Sequence, residues 1–336
     1  MGEIRIKAEK CGVYHVTSRI IHRRRLLGDA ERDVWVSALR RVADFSGVEV
    51  ITYCVLQNHF HILVRVDEAA KGCDDAELVR RYRTLYGTAR AMWSGLNADE
   101  LAHALERGPV ETAEALRERL RARMGDISEF MRTLRQRYTK WYNRTHETVG
   151  TLWSERFGSV LVENTPWVVG LVAAYIDLNA VRAGLAQLPE AYRWTGYAAA
   201  LAGDGELRRA QAWCFPGKGG EAGALGRYRL LMLGKGAAPR RGGGGGRVDP
   251  EDHLAAVRAG GELRSDEVLR LKARFFSRSR ALGSRAWMER GDGARALEAT
   301  GKPGGAVPLE VLKDGDLAVG SRRMRRGGLS RADLDG

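Results

Sequence analysis

Apolar and polar positions alternate along the N-terminal part of the chain in the manner of β-strands. Three runs are rich in β-branched and aromatic residues, namely Val13 to Ile21, Val48 to Leu56 and His59 to Val66. This composition is typical of half-buried, pleated strands. Only Gln57 and Asn58 separate the second run from the third. The pattern therefore predicts one strand followed, further along the chain, by a β-hairpin.

A helix is predicted between the first strand and the hairpin. Within Asp29 to Phe45, Trp35, Leu39 and Val42 recur at helical spacing, and Gly47 follows the run, as expected for an amphipathic helix that ends at a glycine. The resulting order of strand, helix, strand, strand and helix is typical of α+β folds with a ferredoxin-like antiparallel sheet. We expect the helices to cover one face of that sheet.

Three further segments carry helical signals. Residues 75–124 look wholly helical and are predicted to be an insertion between the hairpin and the next strong motif. Residues 126–144 begin with a capping pair, Asp126 and Glu129, and combine apolar residues at helical spacing with an outer face rich in arginine and lysine. Another helical run extends from Pro166 towards Ala183.

Composition changes in the second half of the chain. Glycine accumulates from Gly217 onward and culminates in consecutive glycines at 242–246. Such a stretch does not hold a packed element and predicts a flexible, basic linker. We therefore expect the following organisation: a catalytic domain over 1–200 that contains the 75–124 insertion, a Gly-rich basic linker over 201–247, a small helical accessory module over 248–290, and an irregular segment of poor order over 291–336.

The chain is strongly basic. It contains 55 Lys and Arg against 42 Asp and Glu, a formal net charge of +13. A surface of this sign attracts polyanions, of which nucleic acid is the commonest in the cytosol; a basic surface that only keeps the protein in solution is the alternative. No apolar stretch approaches the roughly 20 residues of a membrane-spanning helix. We therefore expect no membrane partner and a cytoplasmic, nucleoid-associated location.

Two histidines stand at the start of the third predicted strand. Because side chains alternate along a strand, His59 and His61 point to one face while Phe60 points to the other. Two neutral imidazoles side by side form a bidentate corner for a divalent metal ion. The alternative is a pair of half-buried histidines bonded only to the backbone. The polar turn at Gln57 and Asn58 favours a strand end that faces a ligand.

The segment from Tyr175 to Asn179 is the second chemical candidate. These two residues are four positions apart and are therefore predicted to share one face of a helix. An amide oxygen one turn from a phenol can complete a metal site begun by the two histidines, with the hydroxyl facing a bound substrate. A tyrosine in an apolar helix is otherwise a core aromatic. The rival nucleophiles Tyr138 and Tyr142 have no amide or carboxylate four positions later.

Three blocks of the chain carry a more specific pattern. They are Tyr53–Val64, Gly150–Phe157 and Tyr175–Gly184, followed by Tyr192–Tyr197. In this order they resemble the signature motifs of the REP-associated tyrosine transposases, which belong to the single-tyrosine HUH endonucleases, and the resemblance covers about residues 10–200. Gln57 and Ala180 stand where that family usually has proline.

The resemblance implies a reaction. His59 and His61 would be metal ligands for Mg²⁺ or Mn²⁺, Asn179 a candidate third ligand and Tyr175 the nucleophile. The substrate would be single-stranded, hairpin-containing DNA, cleaved through a covalent 5′-phosphotyrosine and then joined to another end. All four residues precede the glycine-rich linker, so the chain after it is expected to be dispensable for the chemistry. We expect a monomer or a homodimer.

Basic residues near these motifs and on the 126–144 helix are the candidates for phosphate contact, since lysine and arginine dominate the binding of nucleic acid backbones. They are Arg23, Arg24, Arg25, Arg132, Arg135, Arg137, Lys140, Arg144 and Arg156.

Two other functions remain open. A domesticated nucleic-acid-binding protein that no longer cleaves would keep the charge and lose the metal ligands or the tyrosine, whereas all four residues are present here. A metal-dependent hydrolase could also use the two histidines, but it would need further ligands and repeated βα units, which the sequence lacks. A hydrolase would turn over without leaving a covalent adduct on the protein.

Overall fold

The structure is a computed structural model that describes residues 6–233, 276, 279–290, 292–298, 307–308 and 317–320. So far as these residues extend, the chain forms two compact units. The first comprises Met1–Arg25, Val50–Val64 and Trp153–Gly336, and the second comprises Leu26–Glu49 and Arg65–Leu152. The predicted helical insertion over 75–124 therefore belongs to a larger unit.

Seven described strands form one sheet. In chain order they are β1 (Cys11–Arg19), β2 (Val48–Val55), β3 (His59–Asp67), β4 (Gly158–Val162), β5 (Ala281–Ser284), β6 (Val307–Pro308) and β7 (Leu317–Gly320). Their order across the sheet is β2-β3-β1-β4-β5-β7-β6. The predicted first strand and hairpin are confirmed, and at the turn the Leu56 N–H donates to the His59 carbonyl at 2.9 Å.

The fold is α+β, as predicted, but the sheet is mixed rather than antiparallel throughout. Strands β1 and β4 are antiparallel, with Tyr14 opposite Leu161. Strands β4 and β5 are parallel, with Leu161 opposite Ala281. A parallel neighbour needs a long crossover connection, and more than 100 residues separate these two strands. Because β5 has the sequence Ala-Leu-Gly-Ser, without a β-branched residue, strand propensity did not indicate it.

The described helices of four residues or more are α1 (Asp29–Ser46), α2 (Asp75–Tyr86), α3 (Ala98–Arg107), α4 (Val110–Arg121), α5 (Ile127–Thr145), α6 (Pro166–Asp177), α7 (Asn179–Arg182), α8 (Gly196–Leu201), α9 (Gly205–Cys214), α10 (Gly220–Leu233), α11 (Arg285–Arg290) and α12 (Asp292–Glu298). Helix α1 ends at Ser46 and is followed by Gly47, whose φ of 62° is left-handed, as suits a glycine. The Asp126 carboxylate accepts the N–H groups of Ser128 and Glu129 at 2.7 and 3.0 Å. The predicted ends of these two helices are confirmed.

The 75–124 segment consists of three helices, α2 to α4, rather than one uninterrupted helical run. Helix α2 ends at Tyr86, and the next residue, Gly87, has a φ of 62°. Asn97 precedes helix α3, and its side chain accepts the N–H groups of Asp99 and Glu100. A glycine with positive φ and an asparagine cap are local signals for a helix end and a helix start, and they explain the break.

The segment predicted as a linker contains helices α9 and α10. Within α10, Leu225 and Tyr228 are buried, and this packing outweighs the low helix propensity of the glycines. Residues 234–275, with the rest of the linker and most of the predicted module over 248–290, lie outside the described residues. The described part of that module contains β5 and α11, and the described part of 291–336 contains α12, β6 and β7.

Strand β3 and helix α6 lie in the core of the first unit. Phe60 and Ile62 are fully buried, and the Phe60 ring meets that of Trp153 edge-on with centroids 5.5 Å apart. Helix α6 is buried along most of its length, as expected for a helix with apolar residues all round. Because His59 and His61 alternate with these core residues, packing of β3 fixes the direction of both histidines.

The start of α8 lies against β2, and this close approach yields a test of the packing. A Cβ atom at Gly196 would lie 2.2 Å from Thr52 Oγ1 and 2.8 Å from Thr52 Cα. The Cα atom belongs to a strand backbone and does not swing aside as a side-chain end does. We expect Gly196→Ala to lower the free energy of unfolding by about 1–3 kcal/mol, a typical cost of overpacking, as measured by urea denaturation.

Gly226 in α10 is the matched control, because a Cβ atom there meets nothing within 4 Å. Gly226→Ala should leave stability unchanged or raise it by up to about 1 kcal/mol, since alanine is the better helix former. Equal stability of the two variants would contradict the packing of α8 on β2.

Candidate functional site

His59 and His61 occupy neighbouring positions on one face of β3. Their ring centroids are 5.2 Å apart; His61 is 6% exposed and His59 is half-buried. Two imidazoles that share one divalent ion, each through a nitrogen about 2.1 Å from it, have centroids roughly 5 Å apart. The spacing of the pair therefore fits a shared divalent cation.

The ring of His59 is oriented by the residue before it. His59 Nδ1 lies 2.6 Å from Asn58 Oδ1, and Asn58 Nδ2 donates to the Arg23 carbonyl at 3.1 Å. A backbone carbonyl can only accept a hydrogen bond, so the Asn58 NH₂ group must be the one that faces the Arg23 carbonyl. The Asn58 amide oxygen therefore faces His59 and accepts a hydrogen bond from its Nδ1–H. In neutral His59 the proton lies on Nδ1 and the lone pair on Nε2.

His61 is oriented by a residue of the first strand, His15. The fully buried ring of His15 stacks on that of His61 with centroids 5.1 Å apart, and His15 Nε2 lies 2.9 Å from His61 Nδ1. The other ring nitrogen, His15 Nδ1, lies 2.6 Å from the carbonyl oxygen of Phe276. Strands β1 and β3 are neighbours in the sheet, which explains how the two histidines meet.

Both members of this histidine pair favour the neutral form. Burial lowers the pKa of His15 to about 4; the hydrogen bond to Phe276 opposes this shift and the positive charge of Arg182 adds to it. Burial also lowers the pKa of His61 well below its usual value, with repulsion from His15, His59 and Arg182 adding to the effect. A neutral imidazole keeps the lone pair that a metal ion requires.

The ring of Tyr175, near the end of α6, faces the rings of His15 and His61. Its ring centroid lies 6.1 Å from that of His15 and 6.3 Å from that of His61, both edge-on. The Phe276 ring stacks on it at 4.3 Å, and the Arg182 guanidinium lies 4.2 Å from its centroid. Tyr175 is 5% exposed. The structure thus brings Tyr175 close to His61, one of the two histidines that the sequence singled out, and His61 in turn neighbours His59.

Asn179 does not share one continuous helix with Tyr175, contrary to the prediction. Helix α6 ends at Asp177, and Asn179 begins the short helix α7. The Asn179 Nδ2 atom donates to the carbonyls of Tyr175 and Ile176, both at 3.2 Å. Carbonyls at a helix end lack partners within the helix, and the amide satisfies two of them. The atom of Asn179 suited to a metal ion is therefore the amide oxygen, Oδ1.

The carboxylate of Asp177 anchors the end of α6. It is fully buried and accepts hydrogen bonds from Thr52 Oγ1 at 2.9 Å, from the Tyr197 N–H at 3.2 Å and from the Tyr228 hydroxyl. These donors belong to β2, α8 and α10, so one carboxylate joins four elements. Burial raises the pKa of Asp177 to about 7, and the hydrogen bonds partly oppose that shift.

Four of the predicted phosphate contacts are exposed residues of the first unit: Arg23, Arg24, Arg25 and Arg156. The loop that carries the first three is joined to the hairpin turn, because the Ile20 N–H donates to the Asn58 carbonyl at 2.8 Å. The segment before Arg156 is held at the end of β1, where the Ser154 N–H donates to the Arg19 carbonyl at 2.9 Å. The backbone of the loop that carries three exposed arginines is therefore hydrogen-bonded to Asn58, the residue before His59.

The other five candidates, Arg132, Arg135, Arg137, Lys140 and Arg144, lie on α5 in the second unit. Arg137 departs from the predicted outer face. It is half-buried, donates to the Leu85 carbonyl at 2.8 Å and lies 5.3 Å from the Tyr86 ring centroid, and burial lowers its pKa. Arg132 is paired with Glu129. Arg137 and Arg132 of this basic set are thus already engaged in contacts within the protein.

The rival tyrosines are packed in the second unit. Tyr138 donates to the Glu31 carbonyl at 3.0 Å, and burial raises its pKa. The Tyr142 ring lies against that of His146, with centroids 4.2 Å apart. Of the three tyrosines, Tyr175 is the one that shares a unit with the histidine pair.

The donor set of the site suits a divalent ion with open coordination positions. In the part of the chain that the structure describes, no three His, Cys, Asp or Glu side chains are grouped to hold a metal ion. His59 and His61 would be two ligands, and the Asn179 amide oxygen is a candidate third. Ions such as Mn²⁺ accept oxygen ligands beside imidazole, whereas a structural zinc site is closed by four protein ligands.

Three residues of the site escaped the sequence reasoning: His15, Arg182 and Phe276. His15 stands on a predicted strand, but the strand order that brings it to His61 is a tertiary property. Arg182 follows Tyr175 by seven positions but lies on the separate helix α7, so helical spacing did not indicate its contact with the tyrosine ring. Phe276 lies far along the chain and has no local signal.

Neither a protein-family model nor a curated protein matches the chain. Among solved structures, one that it resembles is that of a REP-associated tyrosine transposase bound to a REP hairpin, with a TM-score of 0.36 and 16% sequence identity over 60% of this chain and 87% of the other. Among the described residues, no helix has the length and apolar character to cross a bilayer. Similarity of this extent leaves the geometry of the site as the basis for a functional assignment.

The hydrogen bonds of Asp177 yield a stability prediction. Asp177→Ala leaves the Thr52 hydroxyl, the Tyr197 N–H and the Tyr228 hydroxyl without their acceptor, and each buried unsatisfied group costs about 1–3 kcal/mol. We expect a loss of at least about 3 kcal/mol in the free energy of unfolding, measured by urea denaturation. Asp177→Asn should lose less, because its amide keeps an accepting oxygen.

The Asp177→Asn variant also isolates a pH effect. The pKa of Asp177 is about 7 in the folded protein against an ordinary value of 3.8, so the folded state binds the proton more tightly between these values. Its contribution to stability is fully present below about pH 4 and is lost as the pH rises towards 7. The stability of the wild type relative to Asp177→Asn should fall over this interval; a constant difference would rule out the raised pKa.

Proposed function

We propose that this protein is a single-strand DNA endonuclease and strand transferase, which cleaves hairpin-flanked DNA through a covalent 5′-phosphotyrosine in the manner of the REP-associated tyrosine transposases that its motifs resemble. The observation that carries the proposal is the convergence of Tyr175 with His59 and His61. The ring centroids are 5.2 Å apart between the histidines and 6.3 Å apart between His61 and Tyr175, although more than 100 positions separate the tyrosine from them.

The order of the elements supports a ferredoxin-like core of the HUH type. The chain runs β1, α1, β2, β3, α5, β4, with α2 to α4 inserted before α5, and the strands are arranged β2-β3-β1-β4 in the sheet. This is a β-α-β-β-α-β arrangement. It places the histidines on a central strand of the core.

Tyr175 supplies the nucleophile. Its phenolic oxygen loses a proton to solvent and attacks the scissile phosphorus, so that an O–P bond forms to the 5′ side while the bond between phosphorus and the 3′ oxygen breaks. The leaving 3′ oxygen takes up a proton from solvent. The new link conserves the phosphodiester, so a 3′-hydroxyl can later attack it and join strands without a nucleotide cofactor.

His59 and His61 would hold a divalent ion, Mg²⁺ or Mn²⁺, with Asn179 as the candidate third ligand. When bound, such an ion polarises the scissile phosphate and offsets charge on its oxygens. Arg182 adds a fixed positive charge 4.2 Å from the Tyr175 ring centroid. Attacking phenolate and phosphate both carry negative charge, which this guanidinium stabilises.

Exposed arginines beside the site are suited to the DNA backbone. Arg23, Arg24 and Arg25 follow β1, and Arg156 precedes β4. Contacts of this kind release counterions and make binding dependent on salt. Arg132, Arg135, Lys140 and Arg144 on α5 are a second basic set. Such a protein would act as a monomer or homodimer on DNA of the nucleoid.

A second candidate function is binding of nucleic acid without cleavage. The observation in its favour is the burial of Tyr175, which is 5% exposed and stacked against Phe276. In that case the basic surface serves binding alone.

Tyr175→Phe separates a nucleophilic role of Tyr175 from a purely structural role of its ring. The variant loses one oxygen and keeps the ring that stacks on Phe276, so we expect a stable protein that binds single-stranded hairpin DNA but forms no covalent adduct. The measurement is a denaturing gel after incubation with hairpin DNA and Mn²⁺.

Tyr138→Phe and Tyr142→Phe are the matched controls and should still form the adduct. An adduct in Tyr175→Phe would show that another residue is the nucleophile. A wild type that binds hairpin DNA and never forms an adduct would favour the non-cleaving function.

His59→Ala and His61→Ala test the metal site. Each removes one of two imidazole ligands, so we expect loss of cleavage and of tight Mn²⁺ binding, while affinity for hairpin DNA stays near that of the wild type because the arginines are untouched. Asn179→Ala should be milder, since water can replace an amide oxygen. Cleavage that persists in either histidine variant, or in excess chelator, would contradict the metal role.

A further inference from the structure

The two candidate metal ligands share an arrangement that the proposed reaction does not use. In each, the Nδ1 atom is bonded to an intermediary side chain, which is Asn58 for His59 and His15 for His61. Each intermediary is bonded in turn to a backbone carbonyl. Ligand histidines commonly bond through their second ring nitrogen to a group that sets the tautomer. At His61 that group comes from another strand.

The carbonyl of Phe276 determines where the protons of the His15–His61 pair lie. A carbonyl oxygen only accepts hydrogen bonds, so His15 Nδ1, 2.6 Å away, carries a proton. Neutral His15 then has its lone pair on Nε2 and accepts from His61 Nδ1, 2.9 Å away. Neutral His61 is left with its lone pair on Nε2, the nitrogen that a cation would need.

Neutrality of the pair follows from its surroundings. His15 is fully buried and His61 is 6% exposed, and the hydrogen bonds described for His15 go to a carbonyl and an imidazole. A charge is costly to bury without a charged partner, so an imidazole buried among uncharged partners is neutral. If His15 carried a proton on both ring nitrogens, its Nε2 would donate a hydrogen bond to His61 Nδ1. Neutral His61 would then carry its proton on its own Nε2, and that nitrogen would have no lone pair for a metal ion.

We propose that His15 is a positioning residue for the metal site, through which the carbonyl of Phe276 holds His61 in the tautomer protonated on Nδ1. The proposal rests on the proposed function in taking His61 as a metal ligand, but the tautomer itself does not depend on cleavage. Phe276 lies beyond the predicted linker. The C-terminal part of the chain, expected to be dispensable for the chemistry, thereby contributes to the orientation of a ligand.

The first test reads the tautomer directly. Long-range ¹H–¹⁵N correlation spectra of the full-length, metal-free protein distinguish imidazole protonated on Nδ1 from imidazole protonated on Nε2, and comparison with His61→Gln assigns the signals. We expect His61 to be protonated on Nδ1. A wild-type His61 protonated on Nε2 would overturn the proposal.

The second test uses variants of the full chain and Mn²⁺ as the probe, followed by electron paramagnetic resonance. His15→Phe keeps a ring and removes both nitrogens, so His61 should lose its single tautomer and the Mn²⁺ dissociation constant should rise about 10–100-fold. His15→Gln has an oxygen to accept from His61 and an NH₂ to donate to Phe276, and should stay within about threefold of the wild type. Phe276→Leu keeps the carbonyl and is the matched control.

Unchanged tautomer and Mn²⁺ affinity in His15→Phe would overturn the positioning role. If that variant does not fold, the wild-type spectrum and the His15→Gln measurements still decide. A wild type with His61 protonated on Nδ1 that forms no DNA adduct would support the positioning role and contradict the proposed function. A wild type that forms the DNA adduct but has His61 protonated on Nε2 would support the proposed function and contradict the positioning role.

Discussion

The rest of the site depends on the hydrogen bonds that the buried carboxylate of Asp177 accepts. A carboxylate removed from water is costly unless its oxygens are hydrogen-bonded, and here donors from β2, α8 and α10 supply those bonds. Tyr175 and Asn179 each lie two positions from Asp177. The hydrogen bonds of Asp177 therefore set the position of Tyr175 relative to the sheet. Beside them, Gly196 lies so close to Thr52 that there is no room for a side chain.

Positive charge near the histidines has two effects, one from Arg182 and one from the exposed arginines. Arg182 lies over the Tyr175 ring and disfavours protonation of His15 and His61, which preserves the lone pairs that a metal ion requires. In the proposed function, the same sign of charge on the exposed arginine loops would attract the phosphates of nucleic acid. The proposed function would need both effects, because the basic residues would bind a polyanion and the neutral imidazoles a cation.

The chemical residues and their supports come from distant parts of the chain. Strand β1 provides His15, β3 provides His59 and His61, and α6 provides Tyr175, while Phe276 stacks on the tyrosine and accepts from His15. Strand β5 also comes from the C-terminal part and extends the sheet beside β4. The expected division into an N-terminal catalytic domain and a separate tail stays a prediction, but Phe276 and β5 of the C-terminal part contact His15, Tyr175 and β4.

The sequence by itself determined the elements and the faces of their side chains. Alternation placed His59 and His61 on one side of β3, a glycine ended α1, and an aspartate began α5, because each of these depends on neighbours within a few positions. Tertiary structure alone decided the parallel β4–β5 pair, the contact of His15 with His61, the turning of the Asn179 amide onto the end of α6, and the approach of Phe276 to Tyr175. These depend on which strands become neighbours and on where a distant segment returns, and no local pattern of apolar and polar residues encodes such contacts.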